Sequence, residues 1–179
     1  MNNNILRLAK LTTRILIFGD ILLGSILIIL MIVWQIDVGF FEDIRVVHDG
    51  SIFKFTNSNN AEGMPLSKYS SFYFYFLVLR ALIIVGVLYL ILQTAQRIIK
   101  SIGDLDTFRS ENVTSFRRMG NLFLIWFVLA IPTIKIYDDA ASISVGFYFN
   151  YAVWALISFV LAEIFSEGNK LMEDSKLTI

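Results

Sequence analysis

Residues 97–120 read RIIKSIGDLDTFRSENVTSFRRMG, and their reading decides how the rest of the chain is arranged. Five cations stand in this stretch: Arg97, Lys100, Arg109, Arg117 and Arg118. A long apolar run flanks it on either side, about Phe72–Gln93 before it and Gly120–Tyr137 after it. Lys and Arg in short loops hold those loops on the cytoplasmic face of a membrane. The stretch is therefore a cytoplasmic loop, 94–119, between two spans. Ser110 is placed to cap a helix, and Glu111 in its first turn suits the positive end of the helix dipole.

Working outward, two further apolar runs cover about 15–34 and 144–165. A crossing of about 30 Å of hydrocarbon needs about 20 residues, and runs one, two and four have that length. The third is shorter, and Pro132 is expected to kink or end it, which lipid tolerates only where a neighbour satisfies the freed carbonyl. Hydrophobic residues make up 56% of the 179-residue chain. That exceeds the roughly 45–50% of soluble domains, and the excess is gathered in these runs. A signal peptide is the competing reading of the first run. Asp20 within it, its length and the lack of an A-x-A site argue for a span.

Cation placement sets the topology. The first 14 residues carry Arg7, Lys10 and Arg14. In the loop 35–71, acids outnumber bases. Both termini and the central loop are thus cytoplasmic, and the loop 35–71 faces out. Trp34 then falls in the outer aromatic belt, and Phe72–Phe76 at the same boundary. Within the outer loop, Ile44–His48 and Ile52–Thr56 flank Asp49-Gly50, a strong hairpin signal because a type I′ turn needs positive φ at both central residues. That register sets Val46 opposite Phe53, Ile44 opposite Phe55 and Arg45 opposite Lys54. The segment 166–179 reads as a cytoplasmic helix and tail, with Leu161, Ile164, Phe165, Gly168, Leu171 and Met172 near one face.

Four ionisable residues fall in or at the edge of spans: Asp20, Arg80, Lys135 and Glu163. Such charges mark ion or proton pathways, or they clamp helices together. Arg80 is the deepest, and its long stem can reach Asp20 or Glu163; the pair expected is Arg80 with Asp20. Gly24, Ser25, Gly86, Ala155, Ser158 and Ala162 permit close helix approach.

Several chemistries are excluded. No cysteine is present, so disulfides, thiolate catalysis and iron–sulfur centres are out. A single histidine, His48, is too few for a histidine metal site. No G-x-S-x-G, H-E-x-x-H, P-loop or dinucleotide fingerprint occurs. No catalytic residue, cofactor or metal ligand is assigned, and the zero net charge gives no reason for direct nucleic-acid contact.

Two stretches resemble a known family. One is Phe108-Arg109-Ser110-Glu111-Asn112-Val113, followed by Phe116-Arg117-Arg118-Met119-Gly120. The other is Leu161-Ala162-Glu163-Ile164-Phe165-Ser166-Glu167-Gly168, continued by Leu171 and the ending Leu177-Thr178-Ile179. Both resemble the bacterial membrane family known as domain of unknown function 2975, and the four-span layout extends the likeness over nearly the whole chain. The resemblance implies a multi-pass protein of the bacterial cytoplasmic membrane with no enzyme activity. Members are often encoded beside a small helix-turn-helix regulator of the Cro/repressor type, which implies a cytoplasmic partner of that kind. The partner-facing residues would be Phe108, Arg109, Glu111, Asn112, Arg117, Arg118, Glu167, Gly168, Leu177 and Ile179.

The expectation is one all-α membrane domain over 1–179: a four-transmembrane-helix bundle with a small extracytoplasmic β-hairpin. Its partners are the lipid bilayer, a helix-turn-helix regulator and, as a homo-oligomer, a second copy. Its expected role is accessory or sensory. A small transporter or ion-conducting protein using Asp20, Arg80 and Glu163 is the alternative, and a structural membrane scaffold is the third.

Overall fold

The computed structural model describes residues 3–42, 45–47, 54–56, 64–65, 67, 70–103, 110–136, 141–145 and 148–177. Four helices dominate it: α1 (Asn3–Ile36), α2 (Ser71–Gly103), α3 (Ser110–Ala130) and α4 (Phe149–Leu177). Five short strands lie between them: β1 (Arg45–Val47), β2 (Lys54–Thr56), β3 (Met64–Pro65), β4 (Pro132–Ile136) and β5 (Ala141–Val145).

Helices α1, α2 and α4 are long and apolar enough to cross a membrane. At 1.5 Å per residue, α1 is about 51 Å long, which leaves a helical overhang beyond the hydrocarbon. Its surface matches. Phe18 is 69% exposed, Ile15 60% and Ile29 56%. In water a continuous apolar face of that kind would be a liability; in lipid it is what every spanning helix presents.

Two compact units divide the chain. The first comprises 1–21, 85–128 and 148–179; the second comprises 22–84 and 129–147. In the first, Ile98, Phe116 and Ala162 form a buried seam joining α2, α3 and α4, with Ile102, Val113, Met119, Leu161 and Phe165 packed on it.

The second unit has an aromatic core. Trp34 stacks on Phe74 with ring centroids 4.0 Å apart, and Phe41 lies 5.2 Å from Trp34. Tyr73 and Val78 complete the cluster. Trp34 is only 2% exposed, so it belongs to this core. The aromatic run at the start of α2 splits by helical geometry: Tyr73 and Phe74 turn inward, while Phe72 and Phe76 stay exposed. A short 3-10 turn, Val38–Phe41, carries Phe41 into place, and Asp37 opens it by accepting a hydrogen bond from the Gly39 amide at 2.9 Å.

β1 and β2 pair antiparallel, and β3 pairs with the other edge of β1. The register differs from the sequence expectation. Val46 faces Phe55, and Arg45 faces Thr56 in place of Lys54. The pairing is displaced by two residues, so Arg45 no longer stands opposite Lys54. The Asp49-Gly50 turn lies outside the described residues.

The third expected span is the main correction. Instead of running to Tyr137, α3 stops at Ala130, and the chain continues as β4, paired antiparallel with β5 from Pro132↔Val145 to Ile136↔Ala141. Pro132 has no N–H to give the Val128 carbonyl, and its ring disfavours the helical region at Ile131. The residues that follow are β-branched and alternate in polarity, which suits a strand. For the same reason the fourth helix begins at Phe149, not at 144. The loop 94–119 is also mostly helical: α2 runs on to Gly103 and α3 begins at Ser110.

Candidate functional site

The polar groups of the first unit gather where α2 ends and α3 begins. Asn112, 2% exposed, donates from Nδ2 to the Ser101 Oγ at 2.9 Å, tying the start of α3 to the end of α2. Beside it lies a cleft of about 520 Å³, lined by Arg97, Lys100, Ser101, Glu111, Asn112 and Thr114 among others. A second groove of about 350 Å³ shares Arg97 and Lys100 and adds Lys10, Arg14 and Gln96. Lys10 and Arg14 of the N-terminal segment therefore converge with Arg97 and Lys100 of the central stretch, although they are far apart in sequence.

Packing beneath these clefts is tight. A Cβ on Gly120 would come within 2.6 Å of the Phe159 ring, so this glycine admits α4 against α3. Trp126 stacks on Tyr151 at 5.0 Å. Ala155, Ser158 and Ala162 are buried as small residues at helix contacts are. Gly86 is not at such a contact: nothing lies within 4 Å of where its Cβ would stand. Gly120 was not singled out in the sequence as a contact glycine, because a lone glycine does not show what packs on it.

The expected partner-facing residues divide. Glu111, Arg117, Arg118, Glu163 and Glu167 are exposed. Arg117 reaches Glu163 at 3.6 Å, both side chains more than half exposed. A surface pair of this kind contributes about 0–1 kcal/mol. Glu167 accepts from Lys170 Nζ at 2.7 Å. Gly168 is half-buried on α4. Phe116 is buried against Phe165, ring centroids 5.0 Å apart, and so serves the seam. Phe108, Arg109 and Ile179 lie outside the described residues, and Leu177 is placed only as the last residue of α4.

The charges assigned to spans are each placed within one unit. Arg80, in the second unit, donates from Nη2 to the carbonyls of Leu129 at 2.7 Å and Ala130 at 3.3 Å. These are among the last four carbonyls of α3, which have no partner within the helix. Arg80 thus caps the helix that Pro132 ends. Asp20, in the first unit, is 5% exposed, and its Oδ1 has no hydrogen-bond partner. Glu163 is on the surface with Arg117. Lys135 falls within β4.

Such a structure defines a class: a predominantly helical protein with three helices fit to cross a membrane and a charged, cleft-bearing end in its first unit. Within that class the assignment is specific. The chain belongs to the family described as Protein of unknown function (DUF2975), which matches residues 60–179. The match is narrower than the resemblance read from sequence, since it leaves out α1, β1 and β2. No curated protein and no solved structure matches the chain.

Proposed function

We propose that this protein is a non-enzymatic, four-span component of the bacterial cytoplasmic membrane whose working surface is the charged end of its first unit. In this reading α3 makes the third crossing, both termini are cytoplasmic, and the strand pairs lie outside. The surface docks a small cytoplasmic helix-turn-helix regulator, holding it at the membrane or releasing it.

The observation that carries the reading is how the side chains at that end are used. The aromatic and small residues there, Phe116, Phe165 and Ala162, pack inside the seam. Glu111, Arg117, Arg118 and Glu167 remain exposed, and so do Leu171 and Met172 further along α4. Docking would thus be largely electrostatic, with a small apolar element at the end of α4.

Membrane fractions test it. A small helix-turn-helix protein should sediment with membranes that carry the chain, and the association should be lost on deleting residues 168–179 or in the double variant Arg117→Glu/Arg118→Glu. Association unaffected by both changes would overturn the docking surface. Proton or ion flux in vesicles, abolished by Asp20→Asn, would instead establish the transport alternative, which the buried and unpartnered Oδ1 of Asp20 favours.

A further inference from the structure

Lys10 and Arg14 stand one turn apart on α1, and Arg97 and Lys100 one turn apart on α2. All four line a single groove with Gln96. Among the described residues, no carboxylate lines it and none of the four cations takes part in an ion pair. Four like charges are thus gathered around one cavity of about 350 Å³, with Glu111 lining only the adjoining cleft that Arg97 and Lys100 share. Placing them so close raises the energy of the fold unless an anion fills the space.

The groove's position says which anion. On α1 the cations immediately precede the apolar run that starts at Ile15. On α2, Arg97 and Lys100 follow the last residues of the apolar run, which ends near Gln93. Both pairs therefore stand at the level where hydrocarbon gives way to headgroups. Along α1 beside them, Leu11 (57%), Ile15 (60%) and Leu16 (51%) are exposed. A ligand that fits has a phosphate for the groove and acyl chains for that apolar flank.

We propose that the α1–α2 groove binds the phosphate of an anionic phospholipid from the leaflet facing it, held by Lys10, Arg14, Arg97 and Lys100. Arg suits the phosphate because its fork matches two oxygens at once, and Lys adds a compact charge. Basic pockets between spanning helices bind anionic headgroups in this way. Arg97 and Lys100 also line the adjoining polar cleft. Occupancy of the groove would therefore set where those two side chains point, next to the Ser101–Asn112 contact. The inference rests on the placement of this end at the membrane surface, and it does not depend on a docked regulator.

The test uses the full chain purified in mild detergent. Thermal unfolding is followed as phosphatidylglycerol or cardiolipin is added, with phosphatidylcholine as the zwitterionic reference. Soluble glycerol phosphate at equal phosphate concentration separates a lipid from a free phosphate. Native mass spectrometry counts the lipid retained. Wild type should be stabilised by the anionic lipids and not by phosphatidylcholine or glycerol phosphate. The double variants Lys10→Gln/Arg14→Gln and Arg97→Gln/Lys100→Gln should each weaken the apparent affinity about tenfold or more, since each removes two of the four cations that hold the phosphate. Arg117→Gln/Arg118→Gln removes the same charge away from the groove and should leave the lipid response intact. Equal stabilisation by phosphatidylcholine, an equal loss in the control variant, or a full response to glycerol phosphate would each overturn the proposal. A groove variant that melts far below wild type without added lipid is replaced by its single substitutions, each expected to show a smaller loss of affinity; single substitutions that bind as wild type would also overturn it.

Discussion

A single guanidinium settles how α3 can end where it does. An unpaired backbone carbonyl in an apolar setting costs about 1–3 kcal/mol. Arg80 meets two of them, at Leu129 and Ala130. Replacing Arg80 with Leu keeps the bulk and removes the donors. Thermal unfolding in detergent should then show a loss of about 1–3 kcal/mol, with Arg80→Lys in between. Strong coupling between Arg80→Leu and Asp20→Asn in a double-variant cycle would support the pair that the sequence suggested. Arg80 stood out in the sequence because a charge in a span is rare. Its partners did not, because backbone carbonyls leave no mark in a sequence. Phe74 gives a second check at this scale. It is 3% exposed and stacked on Trp34. Phe74→Ala should cost about 3–5 kcal/mol by leaving a cavity, whereas Phe72→Ala, at an exposed position, should cost little.

The helices were the legible part of the fold. Apolar runs 15–34 and 72–93 become α1 and α2 with overhangs, because a run that satisfies lipid is already a helix and its polar ends continue the same ladder. The strand pair β4–β5 was not legible. Hydropathy alone joins Gly120 to Tyr137, and the alternation in Thr133-Ile134-Lys135-Ile136 and Ser142-Ile143-Ser144-Val145 is hidden beneath it. A period of two deserved weight over total hydrophobicity there. The α3–α4 contact offers the prediction for this scale. Gly120→Val would push against the Phe159 ring, already 2.6 Å from a Cβ at that position. Overpacking of this sort costs about 1–3 kcal/mol. Gly86→Val, where nothing lies within 4 Å, should be close to neutral. Equal melting of the two variants would mean that α3 and α4 do not approach as described.

Across the whole molecule, charge and apolar surface divide the labour. The basic stretch around residues 97–120 was legible in the sequence as a cluster of cations between apolar runs. Its meeting with Lys10 and Arg14 was not, since only folding brings those helices side by side. The family match over residues 60–179 takes in that stretch together with α3 and α4, whereas Lys10 and Arg14 lie outside it. The central claim is that this end faces the cytoplasm while the loop 35–71 faces out. The chain has no cysteine, which makes single-cysteine labelling direct. Ser115→Cys, Asn4→Cys and Ser58→Cys are each expressed in intact cells and exposed to a membrane-impermeant maleimide before and after lysis. The account predicts that position 58 labels in intact cells and that positions 4 and 115 label only after lysis. Labelling at 115 in intact cells, with 58 protected, would contradict it.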